Sequence, residues 1–264
     1  MYKSLFPIIL LLASSLCWGC EEVIVLELEE NAGLLVVEGI VSSEPGQSLV
    51  SLTQSVGFYE ENVFPGVQGA KVSITDGDGQ NWDLTETSPG TYSHPDLVGQ
   101  PEKTYTLNVE LEGKIYTASS TMPPVVKLDS LVIQPLPGGG GLSDSVILQA
   151  LYRDPESYEN FYRFKVKRNG DFIDALILND DVLNNGILAA TPLFGAFFSS
   201  GDEVEVSLLG LDQPVYRYFN TLSSVNGGAG LATGAVADPE SNLSNGALGF
   251  FSAQTQSQLS ITIP

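Results

Sequence analysis

Few residues in this chain are equipped for chemistry. His94 is the sole histidine, and Cys17 and Cys20 are the sole cysteines. A histidine-based triad would have to gather distant partners around Tyr92-Ser93-His94-Pro95-Asp96, and no G-x-S-x-G nucleophile elbow occurs. His94 therefore reads as a turn residue. Zinc sites of the Cys/His kind and cysteine nucleophiles lack the residues they need. Acidic side chains are plentiful, at 32 Asp and Glu. A hydrolase using a carboxylate pair across a cleft thus stays open as a third reading of function. Asp76 and Asp78 are the weak calcium candidates. The full D-x-D-x-D-G spacing with a distal Glu is missing there, and a hairpin turn explains the same residues. No cofactor is called for.

Two clusters point to binding. Arg163, Lys165 and Lys167 alternate with Phe164 and Val166, so the three cations share one face of a strand. This is the one basic cluster in a chain of formal net charge −21. It reads either as a solvated sheet face or as a docking ribbon for an acidic ligand or partner. Phe194, Phe197 and Phe198 form the second cluster, which belongs to the core or, if exposed, marks an interface.

The cysteines speak to address rather than to catalysis. Lys3 followed by the apolar run Leu5–Leu16 has the length of a secretory leader and is too short to span a bilayer. Gly19-Cys20 follows at the position of a lipoprotein cleavage site. Cleavage there gives a leader over 1–19 and a mature terminus at Cys20 carrying two acyl chains, enough for stable anchoring. The competing reading is an ordinary secretory signal with an incidental Cys20. The mature body has no cysteines for disulfides.

Removing the leader takes one more positive charge from an already acidic chain. Such a balance argues against nucleic acid and against an anionic lipid surface. About 245 residues remain after the leader, room for one large β-domain or two ordinary ones. Twenty-seven Gly and fifteen Pro call for many turns, and long helical periods are scarce.

The elements follow from that pattern. Residues 20–33 read as an acidic tether. Seven short strands over 34–122, with Asp-Gly and Glu-Gly turns between them, predict an immunoglobulin-like β-sandwich. Met122-Pro123-Pro124 opens a linker at 123–127. Residues 128–264 predict a second β-rich, sandwich-like domain. Its clearest hairpin joins Phe161–Arg168 to Asp171–Leu178 through Asn169-Gly170. One helix is expected near 213–225, capped by Asp212, with Val215, Tyr218, Phe219 and Leu222 at helical spacing. Ala247–Ala253 and Gln258–Ile263 read as two closing strands.

An ordered set of segments then carries a resemblance. They are the leader ending at Cys20, LLVVEGIV, GAKVSITDGDG, LTETSPGTY, KTYTLNVELEGKIYTASSTMPPV, RDPESYENFYRFKV, GDEVEVSLLGLDQPVYRYFNTL and GALGFFSA. In this order they resemble the domain-of-unknown-function family numbered 4249, lipoproteins of Bacteroidota. The resemblance implies a lipid-anchored outer-membrane protein with no established enzymatic activity, commonly associated with a TonB-dependent receptor, at the cell surface or, as the alternative, on the periplasmic face. Glu21 and Glu22, directly after Cys20, resemble a surface-export signal. The resemblance supplies no catalytic residue. The expected function is ligand binding or accessory work beside such a receptor. The alternative is a structural or adhesive surface protein without a transporter.

Overall fold

Alternation of apolar and polar residues decides the architecture, because each strand then has one face to bury. The computed structural model describes residues 33–57, 60, 63–135, 145–225 and 239–264. Cys20, Glu21 and Glu22 lie outside them. The described residues are mainly β, with sandwich-like packing and one helix.

The first seven strands are β1 (Leu35–Ser42), β2 (Leu49–Gln54), β3 (Lys71–Asp76), β4 (Asn81–Ser88), β5 (Thr91–Ser93), β6 (Thr104–Leu111) and β7 (Lys114–Thr121). In β6, Tyr105, Leu107 and Val109 are buried and their neighbours exposed, as strict period two demands. Glu112 and Gly113 both take positive φ, which gives the β6–β7 turn the twist of its strands. Strand β4 pairs with β3 through its first half and with β5 through its second, with a register shift between Glu86 and Ser88. That irregularity turns the sheet's corner, so two layers face each other over one core. Val37, Leu52, Ile74 and Leu107 are fully buried in it.

Strands β8 (Leu128–Pro135), β9 (Val146–Arg153) and β13 (Leu188–Pro192) form a separate three-stranded sheet in the order β13-β9-β8. It packs across a second core from β10 (Phe161–Arg168) and β14 (Glu203–Leu211). Asn169 and Gly170, both at positive φ, close the hairpin from β10 to β11 (Asp171–Phe172). The return arm is shorter than the sequence pattern suggests. It leaves the ladder after Phe172 and rejoins β10 only at β12 (Ile177–Asp180). Helix α1 (Gln213–Val225) covers the opposite face of this sheet, seating Val215 and Phe219 on Leu209, Leu211 and Phe250.

The closing strands expected as two are one. Strand β15 runs from Leu248 to Thr262 and changes partner midway. Its first half pairs parallel with β1, and its second half pairs antiparallel with β14. The polar stretch Gln254-Thr255-Gln256 resembles a break in sequence. In the fold it is the crossing point, where Gln256 N–H donates to Ser43 Oγ (3.1 Å) and Ser257 Oγ accepts from Leu128 N–H (3.0 Å). The two β-regions of the sequence therefore share a strand instead of standing apart. In the expected linker at 123–127, Val126 is buried while Val125 and Lys127 are exposed.

One buried polar cluster ties the second core together. Asp154 is 1% exposed and accepts the Tyr162 hydroxyl at 2.5 Å, while its Oδ2 has no partner. Burial, with the nearby Asp181 charge, raises the Asp154 carboxyl above its ordinary range, against the lowering effect of the Tyr162 hydrogen bond. A carboxyl raised by folding contributes most below the unfolded value near ~3.9 and loses that contribution as pH rises through the folded value. Asp154→Asn keeps an acceptor for Tyr162 and cannot ionise. Its stability relative to the native chain is therefore expected to improve from about pH 4 upward. Urea midpoints of both proteins across that range provide the check, and parallel curves would refute the assignment.

Candidate functional site

The cations of β10 lie on the face that α1 and the 172–176 segment cover. Tyr162, Phe164 and Val166 point into the second core, so Arg163, Lys165 and Lys167 take the other side, as the alternation requires. That side is half-buried rather than a solvated face. The Arg163 guanidinium carbon sits 4.1 Å from the centre of the Phe219 ring on α1. Lys165 Nζ and Lys167 Nζ lie 5.9 and 4.9 Å from the Phe172 ring, close enough for cation–π attraction.

The three cations differ in how they are paired. Lys167 forms an ion pair with Glu205 at 2.7 Å. Among the described residues, Arg163 and Lys165 have no carboxylate within ion-pair distance, and Arg163 Nε is buried without an acceptor. Burial pushes the Arg163 guanidinium below its ordinary value, opposed by the Glu38 charge, yet an arginine stays protonated throughout. Burial also lowers Lys165, and the positive charge of Arg163 adds to that effect.

Beside these cations lies an open recess of about 350 Å³. Arg163 and Lys165 form its polar side together with Asp174. Phe172, Ile173, Leu176, Phe219 and Leu222 form its apolar side. The chain's departure from the ladder between Phe172 and Ile177 creates one lip. The other lip is the helix, which is held at two points. Asp212 caps it by accepting Val215 N–H at 3.2 Å, and Tyr216 donates its hydroxyl to Asp180 Oδ2 on β12 at 3.1 Å. A cation pair on a strand, an apolar wall and fixed lips make a site suited to holding an anion that carries an apolar body.

The other sequence candidates lie elsewhere. Phe198 is 1% exposed and belongs to the second core, so it is unavailable for docking, whereas Phe194 and Phe197 are 67% and 43% exposed. Alternation across the Val146–Phe198 bridge separates them. Asp76 and Asp78 serve a turn in place of a calcium site. Lys103 Nζ sits 3.1 Å from Asp76 and 2.8 Å from Asp78 and fills the place a cation would take. Burial would raise the Asp76 carboxyl, but hydrogen bonds from Gln80 and Asp78 N–H with the Lys103 contact hold it lower. Lys103 is raised in return. Among the described residues no group of three or more His, Cys, Asp or Glu is placed to hold a metal. His94 sits in a turn and accepts Asp96 N–H at Nδ1.

By the fold of its described residues this is a mainly β, sandwich-like protein, with one helix among them. The chain belongs to the family described as Domain of unknown function (DUF4249), whose family model matches residues 21–260. No curated protein matches it. Among solved structures it is similar to that of the Yersinia pseudotuberculosis adhesin InvE, at 14% identity and a TM-score of 0.20, over 69% of this chain. The chain spans 57% of that adhesin's length. Among the described residues, no helix is long and apolar enough to cross a membrane.

Proposed function

We propose that this protein is a non-catalytic envelope lipoprotein, anchored through Cys20, that binds a ligand beside a TonB-dependent outer-membrane receptor. The carrying observation is the recess on β10. An acidic protein here keeps two half-buried cations with no carboxylate within ion-pair distance among the described residues, over an aromatic wall. Leaving charges half-desolvated and unpaired costs stability, and a binding role accounts for their retention. The exposed Phe194 and Phe197 supply a separate apolar face for a protein partner. The anchor and the receptor rest on the leader sequence and on the resemblance carried by the ordered segments.

The receptor role is tested by gentle capture of the tagged, lipidated protein from outer membranes, with identification of what comes down. A large TonB-dependent barrel enriched over a tagged control lipoprotein is the expected result. Its absence would leave the structural or adhesive alternative. The anchor has its own test. Cys20→Ser is expected to move most of the protein from the membrane to the soluble fraction, since two acyl chains supply the attachment. Unchanged membrane retention would refute lipidation at that thiol.

A further inference from the structure

We propose that the recess between β10, the 172–176 segment and α1 binds an amphipathic monocarboxylate, one carboxylate on an aromatic or branched apolar body. This rests on the ligand-binding reading above and names the ligand's chemistry.

Charge decides the headgroup. The lining carries Arg163 and Lys165 against Asp174, and the Glu38 charge acts on both cations from nearby. Glu205 already occupies Lys167. A single carboxylate adds less negative charge beside Asp174 and Glu38 than a phosphate dianion would, in a protein already at −21. Geometry favours the same group. The Phe219 ring lies against Arg163, and ring contact with a guanidinium is made chiefly through its face, which leaves in-plane donors for an acceptor. A planar carboxylate takes two such donors side by side. Lys165 stands two residues along the same strand face and lines the same recess.

The apolar wall decides the body. Phe172, Ile173, Leu176, Phe219 and Leu222 surround the cations, and the volume of about 350 Å³ lies at the small end of ligand sites. A bare inorganic anion would leave that wall wet. A ring or a branched chain of comparable size covers it. Both cations are depressed by burial, and an arriving carboxylate would restore the pairing they lack.

The test is calorimetric titration of the mature chain carrying Cys20→Ser, which changes only the anchor residue. The probes are naphthoate, its neutral isostere naphthamide, and naphthyl phosphate. Saturable binding of naphthoate at one site is expected. Naphthamide should bind at least about ten-fold more weakly, as should naphthoate to Arg163→Gln. Naphthyl phosphate should bind more weakly than naphthoate. Leu222→Trp fills the recess, leaves both cations unsubstituted and should abolish binding, while its urea midpoint reports whether the fold survives. Equal affinity for naphthoate and naphthamide, tighter binding of the phosphate, or an unchanged affinity in folded Arg163→Gln would each overturn the proposal. Absence of naphthoate binding with receptor capture intact removes the ligand class alone. Naphthoate binding with receptor capture lost upholds the ligand class and removes the receptor alone.

Discussion

Gly249→Ala is expected to destabilise the protein by roughly 4 kcal/mol or more, a large share of the stability of a typical domain. Gly249 lies at the start of β15 with a φ of 93°, in the region that L side chains rarely adopt. A Cβ there would also collide with the carbonyl oxygen of Val37 on β1. Relief requires β15 to move away from β1, and that pairing supplies Phe251 and Ala253 to the first core. Strand β15 also pairs with β14, so the damage spreads to the second sheet. Gly246 separates the two causes. It has a φ of 73°, and nothing stands within 4 Å of its would-be Cβ. Gly246→Ala is expected to cost only about 1 kcal/mol, the conformational penalty alone. Urea denaturation of both variants reads the difference, and equal losses would show that the contact with Val37 is unimportant.

The second large effect is expected at Asp212. Its carboxylate caps α1 through Val215 N–H and accepts the Ser120 hydroxyl at 2.8 Å and Thr121 N–H at 3.0 Å. Ser120 Oγ in turn accepts Ala253 N–H at 2.8 Å. One side chain thus links the helix, β7 and β15. Loss of the cap alone costs about 1 kcal/mol. A buried donor left without an acceptor adds about 1–3 kcal/mol, and Ser120 is 2% exposed. Asp212→Ala is therefore expected to lose about 2–4 kcal/mol. It should also loosen α1, so naphthoate binding would weaken by more than the fraction unfolded explains. A variant with native stability and native affinity would contradict this role.

Strand positions were legible in the sequence wherever one face is buried and the other wet. Thr104–Leu111 and Phe161–Arg168 match their elements end to end. Helix 213–225 was equally legible, because Asp212, Pro214 and the apolar spacing agree. Strand β13 was not. It ends in Pro192, a breaker in any sequence reading, and it survives because β13 is an edge strand of its sheet. The continuity of β15 was hidden by its polar centre, whose partners come from residues over 100 positions away.

The recess was only half legible. The cations of β10 were evident as a ribbon, and their pattern gave the face. Phe219 belongs to a helix whose apolar stripe reads simply as core, and contact with Arg163 depends on the sheet order β10-β14-β15. The break between Phe172 and Ile177 is hard to place from the sequence, since Asp171–Leu178 is apolar on both faces apart from Asp171 and Asp174 and carries no Gly or Pro to mark a turn. A strand with apolar residues on one face and cations on the other, followed by an amphipathic helix rich in aromatics, is the one hint available.

Where a carboxylate probe settles on the protein bears most directly on this account. In backbone amide spectra of the mature Cys20→Ser chain, naphthoate is expected to shift residues 163–166, 172–176 and 219–222 together, saturating with one affinity. Shifts centred on the exposed Phe194–Phe197 surface, or spread without saturation, would mean that the recess on β10 is not the binding site.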